Sequence, residues 1–156
     1  MGTLRLRLNE SLKDAMRARN ARAVSTLRMV LAQIKDRDIA ARPQGNADGI
    51  DDDSILSLLQ SMIKQRRESM VLYEQGGRAD LVQQEAEEVT IIEGFLPRQL
   101  DDAEAAAAIA AAIAEVGATG VKDMGKVMTA LRARLAGQMD FAKASVIVKQ
   151  QLTAAS

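Results

Sequence analysis

Apolar residues recur three and four positions apart in every long segment of this chain, and none alternates convincingly as a strand. That spacing is the period of an α-helix face. Leu4, Leu8, Leu12, Ala15 and Met16 form the first stripe, and the pattern breaks around Asn20. Val24, Leu27, Val30, Leu31 and Ile34 form the second. Pro43, Gly45, Asn46 and Gly49 then interrupt any helix and predict a loop.

A third helix starts at Asp51-Asp52-Asp53, which supply a capping acceptor and negative charge at the positive end of the helix dipole. Three consecutive side chains at a helix start point in different directions, so capping is preferred to a Mg²⁺ site. Ile55, Leu58, Leu59, Met62, Met70 and Tyr73 mark its apolar side, and Gly76-Gly77 stops it. At about 1.5 Å per residue this helix is about 38 Å long. Leu81, Val82, Ala86, Val89, Ile92 and Leu96 line a fourth helix. The short glycine connection makes the third and fourth an antiparallel hairpin. Arg66 falls within the apolar phase of the third helix. It is expected either to pair with Glu85 or Glu88 across the hairpin, or to lay its stem on the core with its head in water.

Pro97 cannot continue a helix, and it restricts Leu96 before it. Asp101 with Glu104 then fits a capping box for a new start. The helix that follows is mostly alanine and allows close approach by a neighbour. Gly117 to Gly120 form a turn, residues 121–137 a sixth helix and residues 141–152 a seventh. The predicted fold is all-α. A lobe of long helices in hairpins covers residues 1–96, and a small three-helix bundle covers residues 97–156.

Chemistry is constrained by what the chain lacks. It has no cysteine and no histidine. Thiolate nucleophiles, Cys/His pairs and Ser-His-acid sets are therefore excluded, as is the usual general base near neutral pH. No glycine-rich phosphate loop is present. Glu85 and Glu88 lie on one helix face, but without histidine or a second carboxylate helix they read as ion-paired or solvated. No catalytic residue, metal site or cofactor is expected. The absence of cysteine is compatible with a cytoplasmic location, which is the expectation here. The longest apolar run, Ala105 to Ala114, is half of a membrane span. No apolar signal-peptide core follows Arg5 and Arg7, and Leu6 stands where a myristoylation signal has Ser or Thr.

The net charge of zero conceals a pattern. Residues 1–42 hold ten Lys/Arg against four Asp/Glu, residues 43–121 five against fifteen, and residues 122–156 six against two. The basic ends either hold an anionic partner or face the acidic middle. Lys122, Lys126, Arg132 and Arg134 crowd the sixth helix, and Lys143 and Lys149 lie on the seventh. Gly125 interrupts the apolar stripe of Met124, Val127, Met128, Leu131 and Leu135, at a cost of roughly 1 kcal/mol relative to alanine. Either it uncovers backbone N–H groups for a phosphate oxygen, with Lys126 beside it, or it lets the alanine-rich helix approach. With three aromatic residues in the chain (Tyr73, Phe95 and Phe141), nucleic-acid binding would run through shape and phosphate contacts, not base stacking.

Several separated motifs carry a resemblance over nearly the whole chain. They are Lys64-Gln65-Arg66-Arg67-Glu68-Ser69, Gly77-Arg78 with Asp80-Leu81, Leu96-Pro97 with Gln99-Leu100, and Asp123-Met124-Gly125-Lys126-Val127-Met128. In that order they resemble the GatB/YqeY family, in particular its stand-alone YqeY-like proteins. The resemblance implies a C-terminal lobe similar to the GatB tail domain of the tRNA-dependent amidotransferase, a helical module that contacts tRNA. It implies tRNA as a partner, and amidotransferase subunits as further candidates. It also brings a label, carbon–nitrogen ligase with glutamine as amido donor. The kinase core and the amidase Ser-Ser-Lys centre of that enzyme have no counterpart here. The binding role is therefore carried to Gly125 and Lys126, and the reaction is not. Two other readings stay open, a module docking a protein through the acidic hairpin and an independent ligase. After Gly137 the family has a basic and then a small residue, whereas this chain has Gln138 and Met139.

Overall fold

The computed structural model describes residues 2–155, and they form seven α-helices with no strand among them. These are α1 (Thr3–Arg17), α2 (Ala21–Ala41), α3 (Asp52–Gln75), α4 (Ala79–Glu93), α5 (Asp102–Val116), α6 (Met124–Leu135) and α7 (Phe141–Ala155). Short 3₁₀ turns occupy Arg42–Gln44 and Val121–Asp123. Among the described residues no single helix is long and apolar enough to cross a membrane. The chain divides into two compact units, Met1–Leu96 and Pro97–Ser156.

In the first unit, Leu8, Val30, Ile34, Ile55, Leu58, Leu59 and Ile92 are closed off from solvent. They are the residues that helical spacing placed on the inner stripes. α3 spans 24 residues, about 36 Å. Asp51 caps it by accepting the Ser54 N–H at 2.9 Å. Gly77, at φ +69°, turns the chain into α4. The predicted apolar side of α3 is buried as far as Arg66, while Met70 and Tyr73 are half-buried.

Arg66 resolves in favour of a buried pair. Its Nε donates to Glu88 Oε2 at 3.0 Å, and Nη1 donates to the Met62 carbonyl at 3.2 Å. Both side chains are over nine-tenths buried, and a Glu85 oxygen lies 4.0 Å from the same Nε. Burial, and after it the charge of Glu88, raises the Glu85 carboxyl above its ordinary value, more than Arg66 lowers it.

A second long-range pair closes the loop before α3. Arg5 grips Asp38 with both terminal nitrogens, at 2.8 and 2.6 Å, and also donates to the Ile50 carbonyl at 2.9 Å. The Ile50 N–H returns to Asp38 at 2.9 Å. Gly49 passes beside this clamp at φ +90°, and a Cβ there would stand 2.6 Å from Asp38 Oδ1. Space and backbone both demand glycine at that position.

In the second unit, Ile109, Ala112, Val127, Leu131, Ala144, Val148 and Leu152 pack α5, α6 and α7 together. The capping box at the start of α5 is formed. The Glu104 N–H donates to Asp101 Oδ1 at 2.7 Å, and the Asp101 N–H donates to Glu104 Oε1 at 3.1 Å. Gly117, at φ +67°, ends the helix.

Candidate nucleic-acid interface

α6 presents the candidate residues, and its periodicity decides which of them stand together. Val127, Met128 and Leu131 are buried and fix the inward direction. At about 100° per residue, Gly125 and Arg132 then fall on one flank, Lys126 on the outward face, and Arg134 on the opposite flank. Lys122, Gly125, Lys126, Arg132, Arg134 and Lys143 are all exposed. Lys126, Arg132 and Arg134 stand on different sides of α6, Lys122 lies in the preceding 3₁₀ turn and Lys143 on α7.

The start of α6 differs from the expected bare tip. The helical run opens at residue 121, where the sequence placed its start, but as the 3₁₀ turn Val121–Asp123, and the Met124 N–H bonds to the Val121 carbonyl. Asp123 sits at this end and accepts the Thr119 N–H at 2.9 Å. That bond, followed by the Gly120 backbone and then the charges of Lys126 and Lys122, holds the Asp123 carboxyl below its ordinary value. Gly125 therefore lies beyond the first amides, and its carbonyl accepts from the Thr129 hydroxyl at 2.9 Å. What it exposes is room, since a Cβ added there would meet nothing within 4 Å. The alternative that Gly125 admits the alanine-rich helix is thereby corrected: no neighbour approaches that side.

The cations differ in what they already hold. Arg134 donates with both terminal nitrogens to the Glu115 carboxylate on α5. The pair raises the arginine's pKa and lowers the glutamate's. Arg134 is thus committed within its own unit. Arg132 stacks its guanidinium 5.8 Å from the centre of the Phe141 ring, which leaves its hydrogen-bond donors at the rim. Among the described residues Lys122, Lys126, Lys143 and Lys149 form no ion pair within 4.0 Å. Lys143 lies in the first turn of α7, where Asp140 accepts the Ala142 N–H at 2.9 Å. Gly137 is buried at φ +77°, and its carbonyl accepts from Gln99 at 2.6 Å, so this second glycine offers no surface.

No group of three or more His, Asp or Glu side chains among the described residues is placed to hold a metal ion. Fold and surface define a small all-helical protein in two units, the second bearing exposed cations that, among the described residues, have no carboxylate within 4.0 Å. The chain belongs to the Yqey-like protein family, whose sequence profile matches residues 5–152. It is also similar to proteins named "Altered inheritance of mitochondria protein 41, mitochondrial". The one from Pyrenophora tritici-repentis is 32% identical over 89 residues, that from Eremothecium gossypii 33% over 89, and that from Kluyveromyces lactis 31% over 88. The first two matches cover 57% of this chain and 46% of the relative. The third covers 56% and 45%. The chain thus spans about half the length of the curated relatives it matches.

These names correct the expected cytoplasmic location, since the relatives are named as mitochondrial proteins. The physical reason is simple. A chain without cysteine is compatible with every redox compartment, so composition never favoured the cytoplasm.

Proposed function

We propose that this protein binds the phosphate backbone of a folded RNA, tRNA in the first instance, through its C-terminal unit. Lys122, Lys126, Arg132 and Lys143 are the contacting cations, and Gly125 leaves room for the strand to approach. The observation that supports this most is the exposure of these cations with no carboxylate among the described residues within 4.0 Å, where Arg134 nearby is paired. The likeness of the α6 motif to the GatB tail domain of the amidotransferase adds tRNA as the substrate class. Sequence-independent phosphate contact explains why four charges suffice without a stacking platform.

A titration with folded tRNA at two salt concentrations tests the reading. About four neutralised phosphates give a log–log salt slope near −3. Lys126→Ala/Arg132→Ala is expected to bind more weakly and with a flatter slope. Undetectable binding, or equal and salt-insensitive binding by both proteins, ends the proposal.

A second reading rests on a separate observation. Val71 and Leu72, near the C-terminal end of α3, are 53% and 66% exposed. Such a tip suits a protein partner. Recovery of the same protein partner from nuclease-treated extract by wild type, and its loss with Val71→Ser/Leu72→Ser, supports this reading. Loss of every partner on nuclease treatment overturns it.

A further inference from the structure

A groove at the corner of α1 and α2 plays no part in RNA binding through α6. It is lined by Met16, Arg19, Ala21, Val24, Ser25 and Arg28, opens to solvent and has a volume of about 440 Å³. Aliphatic surface from Met16, Ala21 and Val24 lies beside two guanidinium groups and a hydroxyl. No carboxylate lines it.

The two guanidiniums stand out from their neighbours. Arg17 pairs with Asp14 at 3.0 Å and Arg22 with Glu87 at 3.1 Å. Among the described residues, Arg19 and Arg28 have no carboxylate within 4.0 Å; Arg28 Nη2 lies 3.7 Å from Met16 Sδ. Arg19 also sits in a left-handed conformation at φ +54°, the one non-glycine residue among those described to do so. It follows the Ala18 cap of α1, the position that glycine most often fills. An arginine there is harder to accommodate than glycine. Its guanidinium, delivered to the groove beside Arg28, is a reason for keeping it.

We propose that this groove binds the sugar–phosphate backbone of an RNA strand. The guanidiniums grip a phosphate, which arginine does with two parallel donors, and the aliphatic wall takes the sugar. The net excess of positive charge over residues 1–42, ten cations against four anions, favours a polyanion. The open shape favours a polymer backbone over a small metabolite, which would be enclosed. The choice of RNA rests on the function proposed for α6; the phosphate chemistry does not.

The experiment uses the full chain and a short fluorescent single-stranded RNA, followed by anisotropy over a salt series. Arg19→Gly/Arg28→Gln is expected to bind more weakly throughout. Its log–log slope is expected to be flatter by about 0.7, for the one phosphate that the two guanidiniums grip. Arg19→Gly alone should melt at the same temperature as wild type or higher, which separates lost charge from lost folding. Wild-type affinity and slope in the double variant overturn the proposal. So does an acidic peptide that binds more tightly than the RNA, or adenosine monophosphate that competes as well as the RNA. Lys126→Ala/Arg132→Ala keeps the two sites distinct. If that variant alone loses binding, the groove fails and the α6 reading stands. If the groove variant alone loses binding, the reverse holds.

Discussion

The two units reach stability by different means. The first packs large side chains, among them Leu8, Ile34, Leu58, Leu59 and Ile92, and tolerates a buried Arg66–Glu88 pair within them. The second builds its core partly from alanine, with Ala112 and Ala144 beside Ile109, Leu131 and Leu152. Its ion pairs, Arg98–Glu104 and Arg134–Glu115, are exposed. Long helices supply enough apolar area to absorb the desolvation of two charges. A bundle of helices of 12 and 15 residues gains by letting helices approach closely and keeps its charges in water.

The largest expected effect follows from the buried pair. Glu88→Ala removes the nearer partner of the buried Arg66, leaving Glu85 4.0 Å away, and should destabilise the first unit by roughly 3 kcal/mol. Hydrogen exchange should show faster opening of α3 and α4 with α6 and α7 unchanged; equal acceleration everywhere would mean that the units do not unfold separately. Next, Ile109→Ala should cost about 3 kcal/mol, because the residue is fully buried among small neighbours. Denaturant unfolding followed at the second unit measures it. Asp101→Ala removes the capping acceptor of α5 and should cost about 1 kcal/mol, seen as fraying of the first turn in amide exchange.

Gly125→Ala should stabilise α6 by about 0.5–1 kcal/mol, since nothing obstructs the added methyl group. If the glycine clears space for a phosphate, tRNA affinity falls while stability rises. If affinity is unchanged, the glycine has no part in binding. The smallest effect is pH-dependent. Glu85 is held above the ordinary carboxyl value of 4.5, chiefly by burial. A raised carboxyl means that the folded state binds the proton more readily, so its ionisation opposes folding as pH rises past 4.5. Glu85→Gln should therefore stabilise the first unit at neutral pH and lose that advantage as pH falls below 4.5, as melting at several pH values would show.

Much of the fold was readable because helix faces and stops are local signals. The stripes around Leu27, Val30 and Ile34, the Asp51 cap and the Asp101–Glu104 box all follow from residues within two turns of one another. The partner of Arg66 was readable as a pair of candidates, because a hairpin brings a predictable stretch of α4 alongside. Met16 marks the limit of periodicity. It lies in phase with Leu8 and Leu12 yet is 44% exposed, because a stripe says which way a side chain points and not how far its neighbour extends. Arg5–Asp38 and Arg134–Glu115 join residues 33 and 19 apart, and no spacing rule selects those partners. The 3₁₀ turn before α6 escaped notice because Val121 and Lys122 carry no distinctive local signal. The left-handed Arg19 was hidden because arginine is not the residue that announces such a turn.

The tight glycine link between α3 and α4 has a kinetic side. Two adjoining glycines fold the chain back with almost no loop to close, so this pairing loses little entropy at the moment of contact. Partners that are near neighbours along the polymer meet early and often. Stopped-flow refolding is expected to register helical signal from this segment in the fastest phase, before Arg5 has searched out Asp38 across the intervening chain.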